Sequence, residues 1–280
     1  MHSGLPLLAS MLLLPGPEWA LRDIDWTRPS HVALQKDPAA VWARPRFAVN
    51  GVPLFVATAD DDDDDSVPAL DTSLEHTTRT SESVWDGSLV LAKLLERQCA
   101  AGSCPSLGVR LAGSRAIELG AGRGIAGMAA AALGANVVLT DIDPAIPPLE
   151  RIVAINGLAA GAVAHGHIAG CIERVAPLDW TASDAHLAAL RPPLFDLVLA
   201  ADVVWVQDLI VPLVETLSEL VHPNAVALLA HQSRSSRGDN TLFDSLARAG
   251  LAAEAVDRSL LDPAFAKPGI TVYRISRPKE

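Results

Sequence analysis

Residues 115 to 127 read RAIELGAGRGIAG: a short apolar strand, three glycines at alternate positions (Gly120, Gly122 and Gly124), and then an alanine-rich segment. Glycines spaced this way let the backbone turn at positive φ and approach a neighbour that a Cβ would exclude. No other feature constrains the fold as much. A buried strand that passes at once into a helix needs a sheet to return to, and the return is a crossover to a parallel neighbour.

The rest of the chain supplies those neighbours. NVVLTD (136–141) reads as a strand, the stretch around LERIVAI as a helix ending near Asn156-Gly157, and FDLVLAAD (195–202) as another strand. A helix over LIVPLVETLSELV, a strand AVALLAHQ, a helix over TLFDSLARAG and the strands LAAEAVD and ITVYRIS follow, while the segment before Trp180 has no clear period. This alternation predicts an α/β fold with a doubly wound, mostly parallel sheet. Its last two strands have no helix between them, so they should form a C-terminal antiparallel hairpin, at an edge or within the sheet. Aromatic residues make up only 4% of the chain, and alanine and leucine carry much of the apolar half, which suits α/β packing better than a β-sandwich.

Upstream, SVWDGSLVLAKLLERQ places Ser83 and Asp86 in a capping-box relation and predicts an amphipathic helix. FAVNGVPLFVA (47–57) alternates about Asn50-Gly51, the signature of a type I′ hairpin. The six aspartates at 60–65 repel one another and read as a solvated loop, open to a basic partner. The expected organisation is an irregular extension over 1–45, a hairpin and acidic loop over 46–82, and the main domain over 83–280.

Charge and cysteine usage narrow the partners. A net charge of −11 opposes binding to a nucleic-acid backbone and favours a basic protein or a neutral small molecule. Cys99, Cys104 and Cys171 form no CxxC pair and no zinc-type cluster, so reduced thiols in the cytoplasm or nucleus are expected. The apolar stretch LPLLASMLLLPG (5–16) has no Lys or Arg before it, and no run of 18 apolar residues follows. Neither a secretory signal nor a membrane span is expected.

Gly122-Arg123-Gly124-Ile125-Ala126-Gly127 is literally a GxGxxG, with Asp141 about 20 residues on, as in dinucleotide sites. A pyrophosphate would suit the helix N-terminus, and a bare structural turn would need no ligand at all. Glu118, two residues before the first glycine, tilts the choice. Its carboxylate would repel a pyrophosphate but suits a cofactor carrying a sulfonium and an ammonium, so S-adenosyl-L-methionine fits better than NAD. Asp141, at the end of the next strand, is placed to accept from ribose hydroxyls under either reading.

ELGAGRG (118–124) followed by LTD (139–141) resembles the first two motifs of the class I, seven-β-strand methyltransferases. VWDGSLVLAKLLE, LDW (178–180) and FDLVLAADVVW (195–205) resemble, more narrowly, their protein-lysine methyltransferase branch, methyltransferase-like family sixteen, over roughly residues 46–276. The resemblance implies a Rossmann-like seven-stranded fold, S-adenosyl-L-methionine as cofactor and no metal. It further implies a monomer acting on a protein substrate with an accessible lysine, with neither nucleic acid nor membrane as partner. Carried over by position, it implies that Trp85 lines the methionine or ribose side of the cofactor. Glu118 faces the cofactor's cationic end, Gly120, Ala121 and Gly122 contact it by backbone, and Asp141 takes the ribose. Trp180 packs on the adenine, and Ala201 closes the wall at the end of strand four.

The fourth motif departs from the family pattern. It reads Asp202-Val203-Val204-Trp205, where the family usually ends in Tyr. Trp205 keeps an aromatic wall for the acceptor but offers an N–H in place of a hydroxyl. Asp202 is the carboxylate expected to position the nucleophile. His231, at the end of the following strand, could take a proton through water, and Arg234 and Arg237 lie where they could meet substrate. Three other readings stay open: a small-molecule N-methyltransferase, a catalytically weak cofactor-binding scaffold, and an NAD(P)-dependent oxidoreductase. Glu118 and the absence of a Tyr-xxx-Lys pair oppose the last.

Overall fold

The computed structural model describes residues 47–49, 52–54, 84–99, 102–158, 170–190 and 194–278. The extension over 1–45, the aspartate run and Ser83 of the expected capping box lie outside them.

Strands β1 (Phe47–Val49) and β2 (Val52–Leu54) pair antiparallel with Val49 opposite Val52, the register of a two-residue hairpin. Helix α1 (Asp86–Cys99) follows, then a small antiparallel ribbon of β3 (Ser103–Cys104) and β4 (Val109–Arg110). The main sheet is built from β5 (Arg115–Leu119), β6 (Asn136–Asp141), β7 (Cys171–Pro177), β8 (Leu197–Ala201), β9 (Val226–Gln232), β10 (Ala252–Ala255) and β11 (Ile270–Ser276). Its order is β10-β11-β9-β8-β5-β6-β7. The five strands from β5 to β9 are mutually parallel, whereas β11 runs antiparallel to both β9 and β10. The expected hairpin is therefore folded into the sheet, with β11 wedged between β10 and β9.

Period-two alternation sends successive side chains of each central strand to opposite faces. Leu197 and Leu199 join a core with α1, α2 (Ile125–Ala132) and α3 (Ile146–Ile155). Val198 and Ala200 join a second core with α4 (Ser183–Leu190), α5 (Ile210–Leu220) and α6 (Ser236–Arg248). No described helix is long and apolar enough to cross a membrane.

Two expectations need correcting. First, α1 is not amphipathic: every residue from Asp86 to Leu95 is buried. Tertiary structure closes its polar side. Lys93 Nζ donates to the Ala48 carbonyl of the hairpin at 2.6 Å and to Glu96 at 2.6 Å, and it lies 5.3 Å from the Phe265 ring centroid. Arg97 and Gln98 donate to the carbonyls of Leu261 and Leu260, each at 2.8 Å, in the segment joining β10 to β11. Second, the aperiodic stretch before Trp180 contains β7. An edge strand with Glu173 and Arg174 exposed, it has no continuous apolar run to announce it.

α2 is buried at all eight positions, and its small side chains let it lie close to the sheet. A Cβ on Gly127 would fall 2.3 Å from Leu139 Cδ2 and 2.7 Å from Glu118 Oε2, both fully enclosed. Overpacking of this kind costs about 1–3 kcal/mol, and the better helix propensity of alanine returns at most about 1. Gly127→Ala is therefore expected to lower the unfolding free energy by about 1–2 kcal/mol in urea denaturation. An unchanged midpoint would mean that Leu139 moves freely.

Candidate functional site

Chain direction across the sheet reverses between β5 and β8, and open α/β sheets bind ligands outside the carboxyl ends of the strands at such a switch point. The pocket lies there, with a volume of about 250 Å³. Trp85 and Ser88 reach it from the start of α1, and Glu118 and Gly120 to Arg123 from the end of β5. Asp141 and Ile142 enter from β6, Leu178 to Thr181 from beyond β7, and Ala201 to Val203 with Trp205 and Leu209 from beyond β8. The structure thus gathers Trp85, Glu118, Gly120, Ala121, Gly122, Asp141, Trp180, Ala201, Asp202 and Trp205 around one cavity, although they come from positions 120 residues apart in the chain.

Each alternate glycine of the turn is left-handed, with φ of 59° at Gly120, 53° at Gly122 and 70° at Gly124. A Cβ on Gly120 would meet Val203 Cγ1 at 2.9 Å and Trp180 at 3.2 Å. The turn is braced by Asp141, whose Oδ2 accepts from Gly122 N at 2.7 Å while its Oδ1 accepts from Ile142 N at 2.8 Å. Asp141 therefore shapes the turn as well as facing the cavity, a role that the sequence did not suggest. Burial raises its carboxyl above the usual range, against the pull of these two N–H donors.

Glu118 is 2% exposed, and its Oε2 accepts from Gly127 N at 2.8 Å, in the first turn of α2. Burial pushes its carboxyl up to about 8, helped by nearby Asp141 and opposed by the N–H groups of Gly127 and Ala126. At neutral pH the group therefore holds a proton until a cation approaches.

Asp202 carries the one positive φ of a described non-glycine residue, 55°, a strained setting of the kind found at functional positions. Two contacts hold it there: its N–H donates to the Ala230 carbonyl at 2.9 Å, and its Oδ2 accepts from Gly87 N at 2.7 Å. Gly87 must be glycine, since a Cβ would lie 2.5 Å from that oxygen. The other oxygen, Oδ1, is buried without a hydrogen-bond partner among the described residues. Burial raises the Asp202 carboxyl and Asp86 adds to the rise, while Gly87 N–H, Arg234 and His231 act against it. Asp86 is itself held by Lys267, at 3.2 Å.

Trp180 sits on a turn fixed by Asp179, which accepts from the N–H and the hydroxyl of Thr181 at 2.8 and 2.7 Å. Its indole Nε1 is buried with no hydrogen-bond partner among the described residues. The Asp-x-Thr spacing was a readable Asx-turn signal that sequence reasoning passed over. Trp205 stands at the mouth, 36% exposed. Three expected contributors stay off the lining. His231 is 4% exposed and faces Asp239 at 2.9 Å, so it does not reach the cavity. Arg237 is exposed at the start of α6, and Arg234 lies over the Trp85 ring, 5.5 Å from its centroid.

Comparison with known proteins adds sequence relatives to this geometry. A model of the family described as lysine methyltransferase matches residues 65–249. The mouse protein N-lysine methyltransferase METTL21A is 36% identical over 162 residues, 57% of this chain and 64% of that protein. Mouse EEF1A lysine methyltransferase 3 is 33% identical over 163 residues, 58% of this chain and 60% of that protein. The chain thus spans a little under two thirds of the length of these relatives. Among solved structures, a magnesium protoporphyrin IX methyltransferase from Synechocystis PCC 6803 with bound S-adenosylmethionine matches at 14% identity and a TM-score of 0.45, over 88% of this chain and 99% of that one.

Proposed function

Since this chain belongs to the lysine methyltransferase family, we propose that it transfers a methyl group from S-adenosyl-L-methionine to a lysine side chain of a protein substrate. One observation carries the reading: a single cavity joins a left-handed glycine turn braced by Asp141 to a buried, unpartnered oxygen of Asp202.

The residues fit an adenosyl cofactor. Without a Cβ at Gly120, Val203 and Trp180 close against the turn, and Trp180 offers a flat apolar face whose N–H has no partner among the described residues. Both Asp141 oxygens retain acceptor capacity for ribose hydroxyls beyond the two backbone bonds they accept. Glu118 lines the same cavity, where a cation placed beside it would favour its charged form. When bound, S-adenosyl-L-methionine supplies a methyl group on an electrophilic sulfonium. The protein's part is positional, and orienting the reacting groups can supply roughly 7–11 kcal/mol. A lysine with a pKa of about 10.4 must first become neutral, which costs on the order of 4–5 kcal/mol at pH 7. Asp202 Oδ1 accepts one N–H of the amine, aims its lone pair, and stabilises the charge that grows on nitrogen. The exposed Trp205 at the mouth supports a side chain delivered by a protein over a fully enclosed small molecule. The net charge of −11 supports a basic acceptor segment, and three unpaired cysteines support a reducing compartment such as the cytoplasm or nucleus.

Calorimetric titration with S-adenosylhomocysteine and, separately, NADH tests the cofactor, and labelled S-adenosylmethionine in cell extract tests the acceptor. Micromolar binding of the homocysteine compound alone, with label on protein lysine, is the expected result; binding of NADH alone would overturn the assignment.

Glu118 gives this reading a pH signature. A carboxyl raised from 4.5 to about 8 by folding contributes stability that is whole below about pH 4.5 and lost as pH rises towards 8, because the native state then holds the extra proton. The melting temperature of the ligand-free protein is expected to fall over that window. Glu118→Gln should flatten the fall, leaving the contributions of Asp141 and Asp202, which run in the same direction. Cationic S-adenosylmethionine should expel the proton at pH 7, so binding heats should differ between phosphate and Tris buffers in the parent and differ less in Glu118→Gln.

A further inference from the structure

Arg234 lies two residues beyond the end of β9, in the exposed turn before α6. Its guanidinium carbon stands 5.5 Å from the centroid of the Trp85 ring, and its charge acts directly on Asp202. Trp85 and Asp202 both line the cavity. We propose that Arg234, from outside the cavity lining, covers the Trp85 face by which a lysine ammonium would approach Asp202, as a gate of the chain's own making that an acceptor must displace. The proposal rests on the methyltransferase reading above and adds to it the residue that screens acceptors.

The seat has what an alkylammonium seeks. An indole face attracts a cation through its quadrupole, and a carboxylate oxygen without a partner accepts its N–H. Two neighbouring basic side chains are engaged elsewhere: Lys267 faces Asp86 at 3.2 Å, and His231 faces Asp239 at 2.9 Å. Among the described residues no hydrogen bond or ion pair ties Arg234 down, and its side chain is exposed. The ring and the field of Asp202 hold it, so it can leave. An exposed cation–π contact is weak, and the toll it puts on acceptor binding should be about two- to fivefold. A flexible, exposed guanidinium can tax amines that bind by charge alone while giving way to a lysine brought in by a docked protein.

The test compares the full chain with Arg234→Ala, each saturated with S-adenosylhomocysteine. n-Butylammonium chloride, a lysine side-chain surrogate, is titrated while the Trp85 indole N–H resonance, assigned through Trp85→Phe, is followed by NMR. The expected result is two- to fivefold tighter binding to Arg234→Ala, with S-adenosylhomocysteine affinity unchanged. Methylguanidinium should then compete with n-butylammonium more strongly in Arg234→Ala than in the parent, because it refills the vacated seat; a merely structural loss would not produce this. Equal or weaker n-butylammonium binding in the variant, or no shift of the Trp85 resonance in either protein, would overturn the gate. Failure of both proteins to bind S-adenosylhomocysteine would instead sink the methyltransferase reading, so the two failures are told apart.

Discussion

Asp202→Asn is expected to slow methyl transfer at least a hundredfold while S-adenosylhomocysteine binds within about threefold of the parent. Asparagine is among the few residues that tolerate the left-handed backbone at this position, and its amide oxygen can still accept from Gly87 N, so the turn and the start of α1 should survive. What disappears is the carboxylate character of Oδ1, the buried oxygen without a hydrogen-bond partner among the described residues. Removing one preorganised electrostatic partner of a developing charge typically costs 10²–10³ in rate, or roughly 3–4 kcal/mol. Initial rates of labelled methyl incorporation into extract protein, beside calorimetric cofactor affinity, separate the two effects. A variant that kept its rate would leave Asp202 as a brace for the loop after β8 and return the reaction to positioning alone.

The second large effect concerns Asp141. Asp141→Ala is expected to weaken S-adenosylhomocysteine binding by about 2–4 kcal/mol, because three things fail together: the acceptor for Gly122 N, the acceptor for Ile142 N, and the carboxylate facing the ribose site. That corresponds to roughly 30- to 1000-fold in affinity. Asp141→Asn keeps an acceptor oxygen for one of the two backbone donors and should fall between alanine and the parent. Calorimetry at matched pH reads the difference, and unchanged affinity in Asp141→Ala would remove the residue from the site.

Much of this site was legible because its determinants are local. The spacing of Gly120, Gly122 and Gly124 after a buried strand permits the left-handed turn seen here, and Glu118 and Asp141 flank that turn along two adjacent strands. Asp202 was legible as the residue just past a buried strand. Other parts had no local sign. β7 escaped because an edge strand can alternate charged and buried residues. The burial of α1 escaped because its buried polar residues are covered by partners far along the chain: Ala48 for Lys93 and Lys267 for Asp86. His231 read as a rim residue, yet its ring is turned to Asp239 and shut away from the cavity.

By itself, then, the sequence determined the alternation of strands and helices and the glycine turn with Glu118 and Asp141 beside it, since each follows from backbone geometry over a few positions; Trp85, Trp180 and Ala201 followed only from the family resemblance. Only the tertiary structure decided which atoms of those residues are already spent. It engages both oxygens of Asp141 and one each of Glu118 and Asp202 with backbone N–H groups, leaves Asp202 Oδ1 and Trp180 Nε1 unsatisfied, and brings Arg234 over Trp85 from 149 positions away. The physical reason is that hydrogen bonding and burial are properties of what surrounds a group in space, and in a doubly wound sheet those surroundings come from strands distant in the chain.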